Sequence, residues 1–287
     1  MFVAVLVLFQ LSVHQDALAA YKQHKFDEAV AKFTEALKTE KPGSPDYRES
    51  VLILGQSLYL QSKYKDAIPW LTKAVDGAAP TAEAAFMLGN ACILTQQPDQ
   101  AERAFANLFQ VPPNSAAAHL MTARMMLRQD VDTGAAQEAR RALEIDPRIP
   151  EAHFLIGEVD IVHAEIDGAI AELKKEIEIN PGFARAYYRL GDAYSRREMW
   201  DQSIPSLEKS VWLDPNYSGP FILLGKGYLK LKEYANAEGV LRHALRLDPQ
   251  NLSAHYLLGQ TLMQEGKQDD AKKEIAVWQQ LKDKAGQ

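Results

Sequence analysis

Apolar, small and polar positions in this chain follow a helical rhythm that repeatedly restarts. Residues 180–215 read NPGFARAYYRLGDAYSRREMWDQSIPSLEKSVWLDP. Leu190, Gly191 and Tyr194 mark one helical face, and Trp200, Ser203, Leu207 and Ser210 mark a second, at helical spacings. A short polar turn separates them, and a proline stands at each end, so the stretch predicts a helix–turn–helix unit. The unit recurs. Ala29, Ala67, Ala101, Ala135, Ala169, Ser203, Ala237 and Ala271 mark the start of successive second helices, 34 residues apart from Ala67 onward and 38 apart at the first step. The extra residues fall in Lys41-Pro42-Gly43-Ser44-Pro45, a loop composition that tolerates insertion.

Two further rows share the register. Gly55, Gly89, Ala123, Gly157, Gly191, Gly225 and Gly259 occupy one position of the first helices. Glycine inside a helix costs about 1 kcal/mol relative to alanine, so its recurrence predicts close approach of the paired helix. A large apolar residue precedes it (Leu54, Leu88, Ile156, Leu190, Leu224 and Leu258), with Thr122 as the exception. Pro113, Pro147, Pro181, Pro215 and Pro249 then stop the second helices.

The 34-residue period with its Leu-Gly-x-x-Tyr, Ala and Pro positions resembles the tetratricopeptide repeat over nearly the whole chain. The resemblance implies an all-α fold, a right-handed superhelical α-solenoid of antiparallel helix pairs whose first helices line a concave side. The predicted organisation is an apolar segment at 1–13 and an array over 14–285, with repeats near 10–47, 48–81, 82–115, 116–149, 150–183, 184–217, 218–251 and 252–285. In the last repeat Trp278 replaces a small residue, and Lys272, Lys273, Gln279, Gln280, Lys282 and Lys284 give the final helix a polar face. Terminal repeats need such a face, so this helix is either its own cap or, through Trp278, part of a contact surface.

Helical spacing assigns side chains to the concave face. A first row runs Leu52, Phe86, Leu120, Phe154, Tyr188, Ile222 and Tyr256, all apolar or aromatic. A second row, four residues on, runs Gln56, Asn90, Arg124, Glu158, Asp192, Lys226 and Gln260, all polar. A third, mostly apolar, runs Tyr59, Ile93, Leu127, Ile161, Ser195, Leu229 and Met263. A polar ladder between two apolar ones suits an extended peptide or a partner helix. The apolar rows take side chains, and Asn90 or Gln56 bonds backbone amides. Packing between repeats is the competing reading of the apolar rows; the polar row is harder to place in a core, because buried charge is costly unless paired. The expected groove residues are Gln56, Tyr59, Phe86, Asn90, Ile93, Leu120, Arg124, Leu127, Phe154, Glu158, Ile161, Tyr188, Arg189, Asp192, Ile222, Lys226 and Tyr256. Some members of the family clamp a terminal carboxylate with Lys and Asn from successive first helices. Here Leu155 and the Leu120/Arg124 pair stand where that clamp needs other residues, so it is not expected. Arg124, Arg128, Arg185, Arg189, Arg196, Lys226 and Lys230 still make the middle of the face basic, which favours an acidic partner.

Composition narrows the remaining choices. The formal charge of −6 argues against a nucleic-acid surface. A lone cysteine, Cys92 between Ala91 and Ile93, excludes an internal disulfide framework and reads as core. No phosphate-loop, dinucleotide, nucleophile-elbow or HExxH motif occurs. His119, His153 and His255 fall at one register position in different repeats, which makes them equivalent packing residues and not a shared metal site. No catalytic residue, metal or cofactor is therefore expected.

Residues 1–13, MFVAVLVLFQLSV, are apolar but shorter than a membrane span and lack a preceding basic residue. They read as a secretion or anchoring signal, as a cover for the end of the array, or as a start within a longer protein. Three functions stay open: a non-enzymatic scaffold that binds a protein or peptide in its groove, the recognition portion of a larger enzyme or signalling protein, and a membrane-associated envelope assembly factor of bacterial type. The first residues leave location open between periplasmic, secreted or membrane-anchored and cytoplasmic.

Overall fold

A computed structural model describes residues 13–77 and 80–285; residues 1–12 of the apolar N-terminal segment lie outside them. The described residues form helices and turns without strands. The chain divides into two compact units that meet at Ile149 and Pro150. The first holds four helix pairs: α1 (described over 13–22) with α2 (Phe26–Ala36), α3 (Pro45–Leu60) with α4 (Tyr64–Val75), α5 (Ala82–Leu94) with α6 (Pro98–Phe109), and α7 (Ala116–Leu127) with α8 (Asp132–Ile145). The second holds α9 (Ala152–Val162) with α10 (Ile166–Ile179), α11 (Ala184–Arg196) with α12 (Trp200–Leu213), α13 (Ser218–Lys230) with α14 (Tyr234–Leu247), and α15 (Leu252–Gln264) with α16 (Gln268–Ala285). Within each unit the helices from α2 onward pack on their sequence neighbours, the arrangement of an α-solenoid.

The small row works as the sequence implies. A Cβ on Gly89 would meet the Phe105 ring at 2.4 Å, and one on Gly225 would meet Leu241 at 2.4 Å, so each pair closes only over glycine. The large residue sits 16 positions on and is fully buried at Leu71, Phe105, Leu173, Leu207 and Leu241. In the fourth repeat both partners change together: Ala123 replaces the glycine and Ala139 the large residue, and both are fully buried. The smaller side chain at 139 makes room for the methyl added at 123, a compensating pair of changes across one helix contact.

The turns between paired helices share a second device. Ser62, Gln96, Asp130, Ala164, Glu198 and Lys232 all have positive φ at one register position, which Gly266 fills in the last repeat. The left-handed conformation costs a side chain roughly 1–2 kcal/mol, so tertiary packing holds these turns against local preference.

The first helices of the repeats start in different ways. Ser44, Thr81 and Ser115 accept hydrogen bonds from the backbone N–H of Tyr47, Ala84 and Ala118, capping α3, α5 and α7. In the second unit α11 and α13 begin after Phe183 and Tyr217, which make no side-chain cap. Helix α9 is capped from a distance. The buried Glu176 carboxylate accepts from the backbone N–H of Glu151 at 2.8 Å and of Phe154 at 3.4 Å, and burial raises its pKa. Cys92 is buried, and desolvation pushes its thiol up to about 12, so it is an inert core residue.

Candidate partner-binding face

The expected groove residues separate into two classes. Ile93, Leu120, Phe154 and Ile161 are buried, and so are the polar Gln56 and Asn90. These six pack inside the array and offer no surface to a partner. The expectation that the polar row resists burial fails at Gln56 and Asn90, where tyrosines of the preceding repeat bond to the polar side chains, although Asn90 Oδ1 stays without a partner. Tyr21 donates its hydroxyl hydrogen bond to Gln56 Oε1 at 3.2 Å, and Tyr59 is hydrogen-bonded to the Asn90 side chain. Tyr59, Arg124, Leu127, Glu158, Tyr188, Arg189, Asp192 and Ile222 are half-buried, whereas Phe86, Lys226 and Tyr256 are exposed.

Five expected residues converge. Tyr188 and Asp192 on α11, Ile222 and Lys226 on α13, and Tyr256 on α15 line one depression of about 430 Å3, together with Gly219, Leu223, Asn251, Ser253 and Leu257. Its position follows from side-chain size. At two positions of the second unit an aromatic residue 29 positions after the first-row side chain folds over it. Phe183 packs edge-on against Phe154 with ring centroids 4.9 Å apart, and Tyr217 does the same to Tyr188 at 5.1 Å. Over Ile222 the equivalent residue is Asn251, which turns its side-chain oxygen to the Ala254 N–H and caps α15. No ring closes that position, and the depression opens there. Two cavities of the first unit, of about 610 and 930 Å3, are lined by none of the expected groove residues, though the smaller one includes Leu52 of the first row.

Electrostatics also differ from expectation. Arg189 contacts Glu158 at 2.8 Å and Arg185 approaches the same carboxylate at 3.7 Å. Burial works against the Arg189 charge, but Glu158 outweighs it and raises the pKa. The Arg185 guanidinium also lies 5.0 Å above the Phe154 ring, and Arg196 faces Asp192 at 3.3 Å. Of the arginines expected to make the middle of the face basic, Arg196 is paired and Arg185 and Arg189 share one carboxylate, whereas Lys226 lies 5.9 Å from the Trp200 ring with no ion pair among the described residues.

The histidines at the shared register position are not plain packing residues. His119, His153 and His255 each bond through Nδ1 to a glutamate 19 residues later in the same repeat: Glu138, Glu172 and Glu274. Where the histidine is absent the glutamate is too, as in Tyr187/Ser206 and Phe221/Val240. That pairing was visible in the sequence by comparing repeats. Among the described residues no cluster of three or more His, Cys, Asp or Glu has metal-binding geometry, and no helix is long and apolar enough to cross a membrane.

Models of the tetratricopeptide repeat match residues 15–83 and 86–152, 184–217, and 228–285. The chain belongs to the tetratricopeptide repeat family. Solved structures agree on the fold. The crystal structure of MamA superposes with a TM-score of 0.53 at 22% identity, over 57% of this chain and 96% of that one. MamA 41-end from Desulfovibrio magneticus RS-1 gives 0.54 at 19%, over 59% and 96%. The APC/C hetero-tetramer Cut9–Hcn1 gives 0.53 at 17%, over 83% of this chain and 52% of that one. At such identities the likeness speaks for the fold alone. No curated protein matches the chain. Tetratricopeptide repeat proteins generally serve as protein-interaction scaffolds, and this chain carries that architecture through both units.

Proposed function

We propose that this chain is a non-enzymatic scaffold that captures an extended segment of a partner protein on the face made by α11, α13 and α15. The observation that carries the reading is the convergence of Tyr188, Asp192, Ile222, Lys226 and Tyr256, from three successive first helices, on one depression of about 430 Å3. Ile222, Leu223 and Leu257 give it an apolar floor, and Asn251, Ser253 and Asp192 add hydrogen-bonding groups at its rim. An apolar floor with few polar groups is the usual makeup of a recognition site. Affinity comes from the apolar area, at roughly 25 cal/mol per Å2 before the cost of association.

Asn251→Phe would place a ring over Ile222, as Phe183 covers Phe154 and Tyr217 covers Tyr188. The variant loses the α15 cap, a cost of about 1 kcal/mol, and remains folded. A photo-crosslinking side chain at Ile222 captures the partner in the parent protein, and Asn251→Phe suppresses that capture. Equal capture by both, or capture as strong from Gly239 on the exposed side of α14, would sink the reading.

A further inference from the structure

Three cations without a carboxylate lie close together on and just after α13 in the second unit. Arg185 and Arg189 share Glu158, and Arg196 holds Asp192. Lys226 and Lys230 on α13, and Lys232 in the turn after it, have no ion-pair partner among the described residues. A second depression, of about 510 Å3, shares Tyr256 with the first and is lined by Lys230, Lys232, Leu229 and Met263 among others. The two linings together contain three lysines and a single carboxylate, Asp192, already engaged by Arg196 at 3.3 Å. The opposite wall, on α15, carries two exposed apolar side chains, Tyr256 at 40% and Met263 at 54%, with Gln260 and Gln264 beside them.

The two walls impose a spacing. Lys226 and Lys230 stand one helical turn apart, about 6 Å along α13. Alternate side chains of an extended chain repeat at about 6.6 Å. An extended segment between α13 and α15 would therefore turn every second side chain toward the lysines and the intervening ones toward Tyr256 and Met263.

We propose that the joined depressions take an extended acidic–apolar segment of a partner protein, with alternate Asp or Glu residues on Lys226, Lys230 and Lys232 and the intervening aliphatic or aromatic residues against Tyr256 and Met263. This rests on the reading of the α11–α13–α15 face as the partner-binding face and names the chemistry of its occupant. The sequence already placed Lys226 and Lys230 in the basic region with the arginines; Arg185, Arg189 and Arg196 face carboxylates, whereas these two lysines and Lys232 do not. Charge-assisted hydrogen bonds to three lysines select for acid, while Tyr256 and Met263 supply apolar area.

Fluorescence anisotropy of the full chain with short labelled peptides of alternating Asp and Leu, Asn and Leu, or Lys and Leu tests it. The acidic peptide is expected to bind about tenfold or more tighter than the neutral one, with the advantage shrinking at high salt. Replacing Lys226→Glu, Lys230→Glu and Lys232→Glu together removes the preference and transfers it to the lysine peptide. The three Gln replacements remove it without transfer. Circular dichroism of both variants matches the parent, since all three side chains are exposed. Equal binding of acidic and neutral peptides, unchanged by the lysine variants but lost on Tyr256→Ser with Met263→Ser, overturns the acidic preference and leaves the binding face standing. Absence of binding by all three peptides, together with failed capture at Ile222, overturns both.

Discussion

The second-row position is closed at Gln56 and Asn90 in the first unit, half-buried at Arg124, and half-buried or exposed throughout the second. In the first unit Gln56 and Asn90 are buried; in the second Asp192 and Gln260 are half-buried and Lys226 is exposed. The backbone position is the same, so the difference lies in what covers it. Tyr21 and Tyr59 reach the polar side chain of the following repeat and close the row at Gln56 and Asn90. In the second unit Ser195 and Leu229 hold the place of those tyrosines, and Ser195 bonds only to the Asp192 carbonyl within its own helix. Burial within the second unit is graded as well: Phe154 lies under Phe183, Tyr188 is half-covered by Tyr217, Ile222 lies under Asn251 with no ring, and Tyr256 packs against Trp278 at 5.2 Å while staying exposed. At Ile222 the repeat therefore opens a depression by lacking a covering ring, with the helical register unchanged.

The largest effect expected from this contrast is on stability. Phe154→Ala should cost about 3–5 kcal/mol, as for a fully buried aromatic, whereas Tyr256→Ala should cost about 1 kcal/mol or less. Urea denaturation of the full chain measures both, and similar losses would erase the distinction between covered and open positions.

Next in size, Tyr59→Ser would give the first unit the residue type of the second. It removes a half-buried ring and the partner of Asn90, whose Oδ1 already lacks a hydrogen bond. A loss of about 2 kcal/mol is expected, with faster amide exchange around Asn90. Unchanged exchange there would mean that Tyr59 is not what closes the row.

The two units should also titrate at opposite ends of the pH scale. In the first, His14 is buried with Nδ1 at 2.8 Å from Glu40 and 3.0 Å from Ser50, and Nε2 at 3.1 Å from Glu49. Burial disfavours the charged ring, but the bonds to Glu49 and Glu40 outweigh it and raise the pKa above 6.5. Its contribution is therefore complete below pH 6.5 and is lost as pH rises through the raised value. In the second, the bond from His153 lowers Glu172 from 4.5 to about 2, so that contribution is present above pH 4.5 and is lost as pH falls toward 2. Denaturation midpoints of His14→Gln and Glu172→Gln across pH check this: the first variant should flatten the alkaline limb and the second the acid limb.

The smallest effect concerns the turns. Ala164→Gly should stabilise by about 1 kcal/mol, because glycine accepts positive φ without strain. Asp130→Gly should gain less, since aspartate tolerates that region better. Thermal melts separate them; equal gains would show that local backbone preference does not govern these turns.

Much of the fold was legible because it depends on spacing. The 34-residue period, the glycine row and the stop prolines each follow from a constraint repeated in every unit, so their repetition is visible without coordinates. Two compensating pairs were equally visible but need repeats to be compared with one another: Ala123 with Ala139, and each histidine with the glutamate 19 residues later. The site was only partly legible. Row membership follows from helical geometry, and Tyr188, Asp192, Ile222, Lys226 and Tyr256 do share one depression. Phe154, Leu120, Ile93 and Ile161 have the same periodicity and are buried, because periodicity says which way a side chain points and not what lies above it.

The sequence by itself determined the helix pairs, their register and the rows that face one way, because these depend on contacts within one repeat or between adjacent ones. Tertiary structure alone decided which members of a row meet solvent, which arginines are already paired, and where a ring is missing. Those outcomes depend on side chains 29 to 35 residues apart meeting across a helix pair, as Phe154 meets Phe183, Arg189 meets Glu158 and Tyr21 meets Gln56. Such distances are fixed only when the chain is folded.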